Sequence, residues 1–141
     1  MEIVTEKIQL QTKGNTDIID ITHKVQDIIN QHGYDEGNVL VFAVGSTAGL
    51  TTIEYEPGLK KDYPGFFEKI IPSSARYAHD DTWHDGNGHS HIRASLQGSS
   101  LQIPFDNGKL LLGTWQQIIF IDFDIHPRSR TIILQITGKK K

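Results

Sequence analysis

The chain has 141 residues, a formal net charge of −3 and no cysteine. That length suits one domain with a core able to stand without staples, and the absent thiols exclude disulfides, a thiolate nucleophile and cysteine-ligated zinc. Setting aside Lys139, Lys140 and Lys141 leaves 11 basic against 17 acidic residues, a balance that argues against broad nucleic-acid binding.

Glu2 to Thr12 opens with alternation. Ile3, Ile8 and Leu10 interleave with Glu6, Lys7, Gln9 and Gln11, which predicts a half-buried strand with one irregularity near Lys7. The same N-terminus lacks the basic-then-apolar order of a signal peptide, and no apolar run is long enough to span a membrane. The expectation is a soluble, cytoplasmic protein with no membrane partner. Gly14-Asn15 turns the chain. Asp20 or Thr22 can cap a helix whose Ile21, Val25, Ile28 and Ile29 form one apolar stripe, ended by Gly33. His23 falls on the polar face, and His32 in the last turn suits the negative end of the helix dipole. Neither is a site candidate.

Asn38 to Val44 is a continuous apolar run and predicts a central strand. Gly45-Ser46-Thr47-Ala48-Gly49 follows, a run of small residues whose amides can line an anion site or simply connect two strands. Leu50 to Tyr55 predicts a strand, with Glu54 near its end. Glu56-Pro57-Gly58 opens a helical segment that Pro64 restarts and Pro72 stops. Its aromatic stripe, Tyr63, Phe66 and Phe67, reads as core rather than as a platform for stacked bases.

His79 to Gly98 holds four of the seven histidines, with three aspartates and Arg93. Gly86-Asn87-Gly88 predicts a loop up to Ser90. Ser90 to Gln97 then fits a short helix with Ser90 as its N-cap. Ser99 to Phe105 predicts a strand, and Asp106-Asn107-Gly108 a hairpin leading into Lys109 to Gly113. Gln116 to Asp124, apolar on both faces at Ile118-Ile119-Phe120-Ile121, predicts a deeply buried strand. Pro127-Arg128-Ser129 turns into a last strand, Thr131 to Thr137. The whole reads as an α+β fold, mainly an antiparallel β-sandwich with two or three helices, in one domain over residues 1–138. Lys139 to Lys141 reads as a disordered basic tail.

Imidazole suits both proton transfer near neutral pH and borderline metals. His89 and His91 point the same way only if the chain is extended there, and a helix starting at Ser90 separates them. At a helix start His91 lies near unpaired backbone amides, where an anion is welcome. His79 and Glu54 would complete a His/His/carboxylate set with open positions for substrate. The plainer alternative is a group of solvated loop histidines. Asp80, Asp81 and Asp85 suit Mg²⁺ with a substrate phosphate, or water alone. Arg93 can pair with phosphate or with an acidic neighbour. In Leu112-Gly113-Thr114-Trp115-Gln116, glycine within a strand marks a bulge or a close approach. Gln116 offers a donor and an acceptor to a heterocycle. The plainer reading there is a packed Trp115 and a Gln116 bonded across the sheet.

Several of these segments, in order, closely resemble the YjbQ-like family of secondary thiamine-phosphate synthases. They are Ser46-Thr47-Ala48-Gly49-Leu50-Thr51 with Glu54, Gly86 to Leu96, Ile103-Pro104, Leu112-Gly113-Thr114-Trp115-Gln116, Arg128-Ser129-Arg130 and Gln135-Ile136-Thr137-Gly138. The resemblance covers nearly the whole chain. It implies a compact α+β fold around a β-sandwich and a homotrimer with clefts between subunits. It also implies a secondary activity that joins hydroxymethylpyrimidine diphosphate to thiazole phosphate. By this resemblance Glu54, His79, His91, Thr114 and Gln116 fall in the family's cleft, which makes His91, His79 and Glu54 the catalytic candidates and Thr114 and Gln116 substrate-binding ones; Ser46, Thr47 and Arg93 join the substrate-binding set through their own anion-binding chemistry. His79, His89 and His91 are candidate ligands for a divalent metal, Mg²⁺ or Zn²⁺. The implied partner is a small phosphorylated substrate. Many family members carry a histidine where this chain has Gly45. A metal-dependent hydrolase of a small phosphorylated substrate and a non-enzymatic ligand-binding trimer are the rival readings.

Overall fold

Period-two alternation along the first strand sets the orientation of the larger of two sheets. In the computed structural model, which describes residues 1–141, β1 (Glu2–Thr12) pairs antiparallel with β8 (Arg128–Lys140) in an unbroken register from Glu2↔Gly138 to Thr12↔Arg128. The irregularity expected near Lys7 is absent. Ile8 and Leu10 face the core, Ile3 on the other face is exposed, and Glu6 turns inward to meet His32 Nε2 at 2.9 Å. A continuous eleven-residue ladder outweighs one apolar residue on the wet face. His32 thus gains a carboxylate as well as its place in the last turn of its helix.

The larger sheet has the order β1-β8-β3-β5-β6, with β3 (Tyr34–Val44), β5 (Ser100–Asp106) and β6 (Lys109–Leu110). The smaller has the order β2-β7-β4, formed by β2 (Asp17–Asp20), β7 (Gln117–Asp122) and β4 (Ala48–Ile53). All strand pairs are antiparallel. Asn107 and Gly108 both have positive φ (51° and 73°), the geometry that lets a two-residue loop follow the twist of its strands.

Two apolar cores explain the layers. Val39, Val41, Ile132, Leu134 and Ile136 of the larger sheet meet Leu50, Ile118 and Phe120 of the smaller. Ile21, with Val25 and Ile29 of α1 (Thr22–His32), completes this core. On the other side of the smaller sheet, Ile18, Ile119 and Ile121 pack with Phe123 against α2 (Pro57–Ile70) and α4 (Gly88–Gln97) through Phe67, Ile71 and Ala94. β7 is therefore covered on both faces, as its sequence predicts, and Ile118 to Ile121 are fully buried. Each such side chain contributes about 1.5–3 kcal/mol of hydrophobic stabilisation.

The helices around the histidines and the C-terminus also depart from the sequence reading. A six-residue helix, α3 (Ala78–Trp83), replaces the expected loop around His79. α4 starts at Gly88 rather than Ser90 because Asp80 Oδ1 accepts the Gly88 amide at 3.1 Å and supplies the missing cap. Lys139 and Lys140 continue β8 instead of forming a free tail, and their ammonium groups lie 3.1 Å from Glu36 and 3.2 Å from Glu2. Pairing with β3 leaves those two residues no reason to detach. No helix is long and apolar enough to cross a membrane.

Candidate functional site

Where β7 leaves the apolar core, two buried carboxylates need partners. Asp122 has no exposed surface. It accepts Arg130 Nε and Nη2 at 2.7 and 2.8 Å, the Thr12 hydroxyl at 2.6 Å and the Asp124 amide at 3.0 Å. Asp124 is 3% exposed. It accepts Ile125 N at 2.8 Å, Arg128 Nε at 3.0 Å, and Asn87 Nδ2 and Thr47 Oγ1 at 3.2 Å each. Burial alone would raise the Asp124 carboxyl, but hydrogen bonds from Asn87, Ile125 and Arg128 outweigh it and hold it below the ordinary range. The Asp122 hydrogen bonds push Arg130 further toward its charged form.

Thr47 joins this end of the sheet by accepting Arg130 Nη2 at 2.6 Å, so the Gly45–Gly49 loop is pinned beside the carboxylates. Thr47 is buried by these bonds, while neighbouring Ser46 is exposed. Gly45 has φ +142°, and a Cβ there would lie 2.8 Å from Arg130 Nη1. A histidine at position 45 is therefore incompatible with this placement of Arg130.

The imidazoles arrive on α3 and α4. Gly88 lets the two helices approach, because a Cβ on it would collide with Tyr77. The His79 and His91 rings then lie 4.3 Å apart, tilted by 50°. His79 Nε2 is 3.0 Å from Asn87 Oδ1 and 3.3 Å from Asp85 Oδ1. Burial, then the neighbouring His79, pushes the His91 imidazole below its ordinary value, which favours the neutral ring near neutral pH.

His89 does not join them. Two residues along a helix turn a side chain to the far side, and His89 is buried against Tyr77 with Nδ1 unpartnered. Burial, then Arg93, lowers its pKa. Arg93 is also buried, donating to the Ile71 carbonyl from Nε and Nη2 (3.0 and 2.7 Å) and to Glu68 at 2.8 Å. It thus faces an acidic neighbour and clamps α4 to the end of α2. The Arg93 bond, with the Ser73 amide and hydroxyl donating to the same carboxylate at 2.9 Å each, holds Glu68 down at about 2.

Glu54 lies elsewhere again. β4 starts opposite Asp122 and ends opposite Gln117. Its length puts Glu54 roughly 17 Å or more from the imidazole end at about 3.4 Å per residue. With Thr114, Trp115, Tyr55 and Asp20 it lines a separate cleft of about 340 Å³. The segment holding Thr114 and Gln116 is a loop, not the expected strand. Gln116 closes it, accepting Gly113 N and donating to Thr52 Oγ1, both at 3.0 Å. Trp115 is 71% exposed rather than packed.

One chain thus brings together His79 and His91, adds Thr47 through Asp124, and keeps His89, Arg93, Glu54, Thr114 and Gln116 apart from them. No group of three or more His, Asp or Glu side chains is placed to hold a metal ion. The proposed ligands His79, His89 and His91 do not converge, and the residues of a single chain do not fit a resident metal. Asn87, Asp122, Asp124, Arg128 and Arg130 were not singled out as site residues from the sequence. A readable signal existed: acids that end an apolar strand must find donors, and Arg128 and Arg130 lie in the turn just before the next expected strand.

A family model described as UPF0047 protein YjbQ-like matches residues 6–139. A UPF0047 protein of Archaeoglobus fulgidus is 39% identical over 92% of this chain and 98% of its own length. The UPF0047 protein YugU of Bacillus subtilis is 35% identical, covering 93% and 97%. The crystal structure of a YbjQ-like protein of unknown function from Sulfolobus solfataricus superimposes with a TM-score of 0.91 at 30% identity, covering 98% of this chain and 99% of that one. An uncharacterised conserved protein of the YjbQ/UPF0047 family from Clostridium acetobutylicum gives 0.86 at 39% identity, covering 94% and 99%.

Proposed function

This chain belongs to the YjbQ-like UPF0047 family, and from its paired imidazoles we propose that it is a transferase acting on small phosphorylated substrates. Joining hydroxymethylpyrimidine diphosphate to thiazole phosphate is its secondary activity. The observation that carries the reading is the packing of His79 on His91, ring centroids 4.3 Å apart, joined through Asn87 and Asp124 to a guanidinium with donors to spare. Arg128 is held through Nε alone and its side chain is 45% exposed, so its outer fork can take a phosphate.

In this reaction the thiazole nitrogen forms a C–N bond to the pyrimidine methylene carbon. The C–O bond to the diphosphate breaks, and pyrophosphate leaves with the electron pair. The protein aligns the two rings and stabilises charge on the leaving group. His91 and Arg128 supply donors to that group, and His79 exchanges a proton with it. Any divalent cation enters with the diphosphate, as part of the substrate.

Glu54, Thr114 and Gln116 serve the same site from a second copy in a homotrimer, contacting the heterocycle. Two exposed apolar groups support this assembly. Trp83, Ile92 and Leu96 lie on the imidazole-bearing helices, and Leu111 and Trp115 lie on the loop between β6 and β7, where Trp115 lines the Glu54 cleft; all are more than half exposed. A reaction on phosphorylated metabolites places the protein in the cytoplasm.

Purified protein given both substrates and Mg²⁺ should form thiamine phosphate. His91→Ala should lower the rate about 10²-fold or more, the usual scale for a lost hydrogen-bond donor to developing charge. A wild-type yield no higher than that of His91→Ala would refute the reading.

A further inference from the structure

We propose that Asp124, acting through Asn87, locks His79 as the tautomer protonated on Nε2, leaving Nδ1 as the working nitrogen of that ring. The inference deepens the transferase reading, but its geometric part holds whatever the reaction.

The argument runs outward from the buried acid. Arg128 and Arg130 lie 3.0 and 3.8 Å from Asp124 Oδ2, so Asp124 is an ionised carboxylate and only accepts hydrogen bonds. Asn87, 6% exposed, must therefore present its NH₂ group to Asp124 Oδ1, and that bond measures 3.2 Å. The amide oxygen is left facing His79 Nε2 at 3.0 Å. A carbonyl oxygen cannot donate, so the proton must sit on Nε2. Reversing the amide would set two acceptors against each other in a buried site, and unpaired buried groups of this kind are costly.

Two further observations agree. Asp85 Oδ1, also an acceptor, lies 3.3 Å from the same Nε2. Nδ1 has no protein partner, yet it is not among the buried, unpaired atoms, so it is open to a ligand. Asn87 also breaks a local rule. It sits at the N-cap of α4, where asparagine normally bonds to the helix amides, but it makes no such bond. Its side chain is committed to Asp124 and His79 instead. Asn87 and Asp124 are thus positioning residues, and Nδ1 is the atom that exchanges the proton with substrate.

Long-range ¹H–¹⁵N correlation of the imidazole nitrogens reads the tautomer directly in substrate-free protein. Signals are assigned to His79 by their loss in His79→Gln. With the ring neutral, wild type should show a protonated Nε2 and an unprotonated Nδ1. Asp85→Ala, which leaves Asn87 and Asp124 in place, should keep that pattern. Asn87→Ala combined with Asp85→Ala removes both acceptors from Nε2 and should give averaged shifts. A proton on Nδ1 in wild type overturns the proposal, as does loss of the pattern in Asp85→Ala or a pure Nε2–H signal that persists in the folded double variant. Because no substrate is present, failure of the transferase reaction leaves this test untouched.

Discussion

Replacing Arg130 with methionine isolates the energetics beneath the site. Methionine keeps much of the packing volume but removes two charge-assisted hydrogen bonds to Asp122, at 2.7 and 2.8 Å. Asp122 retains the Thr12 hydroxyl and the Asp124 amide, yet its charge, wholly buried, loses its counter-ion. Stranding one member of a buried pair costs about 3–5 kcal/mol, and we expect about 4 kcal/mol here. Adding Asp122→Asn to the same chain removes the stranded charge and should return about 2 kcal/mol, within the range of measured couplings. Urea unfolding followed by far-ultraviolet circular dichroism gives both numbers. Protein concentration is held constant, since association would add a concentration-dependent contribution. A cost below about 1 kcal/mol for Arg130→Met, or a double variant less stable than the single one, would refute the reasoning.

Gly45→Ala should destabilise the chain by about 1–3 kcal/mol, because φ is +142° and the added methyl meets Arg130 Nη1 at 2.8 Å; an unchanged urea midpoint would show that Arg130 yields freely. Acid should also weaken the fold. Burial lowers the folded-state pKa of both His89 and His91, so below about 6.5 the unfolded chain binds more protons than the folded one. Their contribution is full above the ordinary histidine value and is lost as pH falls through the depressed folded values. The urea midpoint should thus be lower at about pH 5.5 than at about pH 7.5, with a smaller difference in His89→Gln. A midpoint equal or higher in acid would contradict this sign.

The departures from the sequence reading share one origin. Arg93 was read as a phosphate ligand or the partner of an acid, and burial decides for the acid, since a guanidinium at 5% exposure must be fully paired. For His89 and His91 the sequence leaves open an extended pair or one divided by a helix starting at Ser90. They diverge because Asp80 caps the helix two residues early, and each helical residue turns its side chain by about 100°. Glu54 looks like a partner for His79 because the two would complete a His/His/carboxylate set. The length of β4 separates them within the chain.

What the chain encodes locally was determined by sequence alone. It includes the alternation of β1, the Asn107-Gly108 hairpin, the doubly apolar β7, the order of motifs that marks the family and the concentration of histidines near His79. Each rests on residue type and on spacing within one element, where backbone geometry fixes the outcome. Tertiary structure decided which imidazoles touch, which carboxylate is ionised, and that Asn87 serves His79 rather than its own helix. Those outcomes depend on where a helix starts and on what must satisfy a buried charge, and residues far apart in the chain supply both answers.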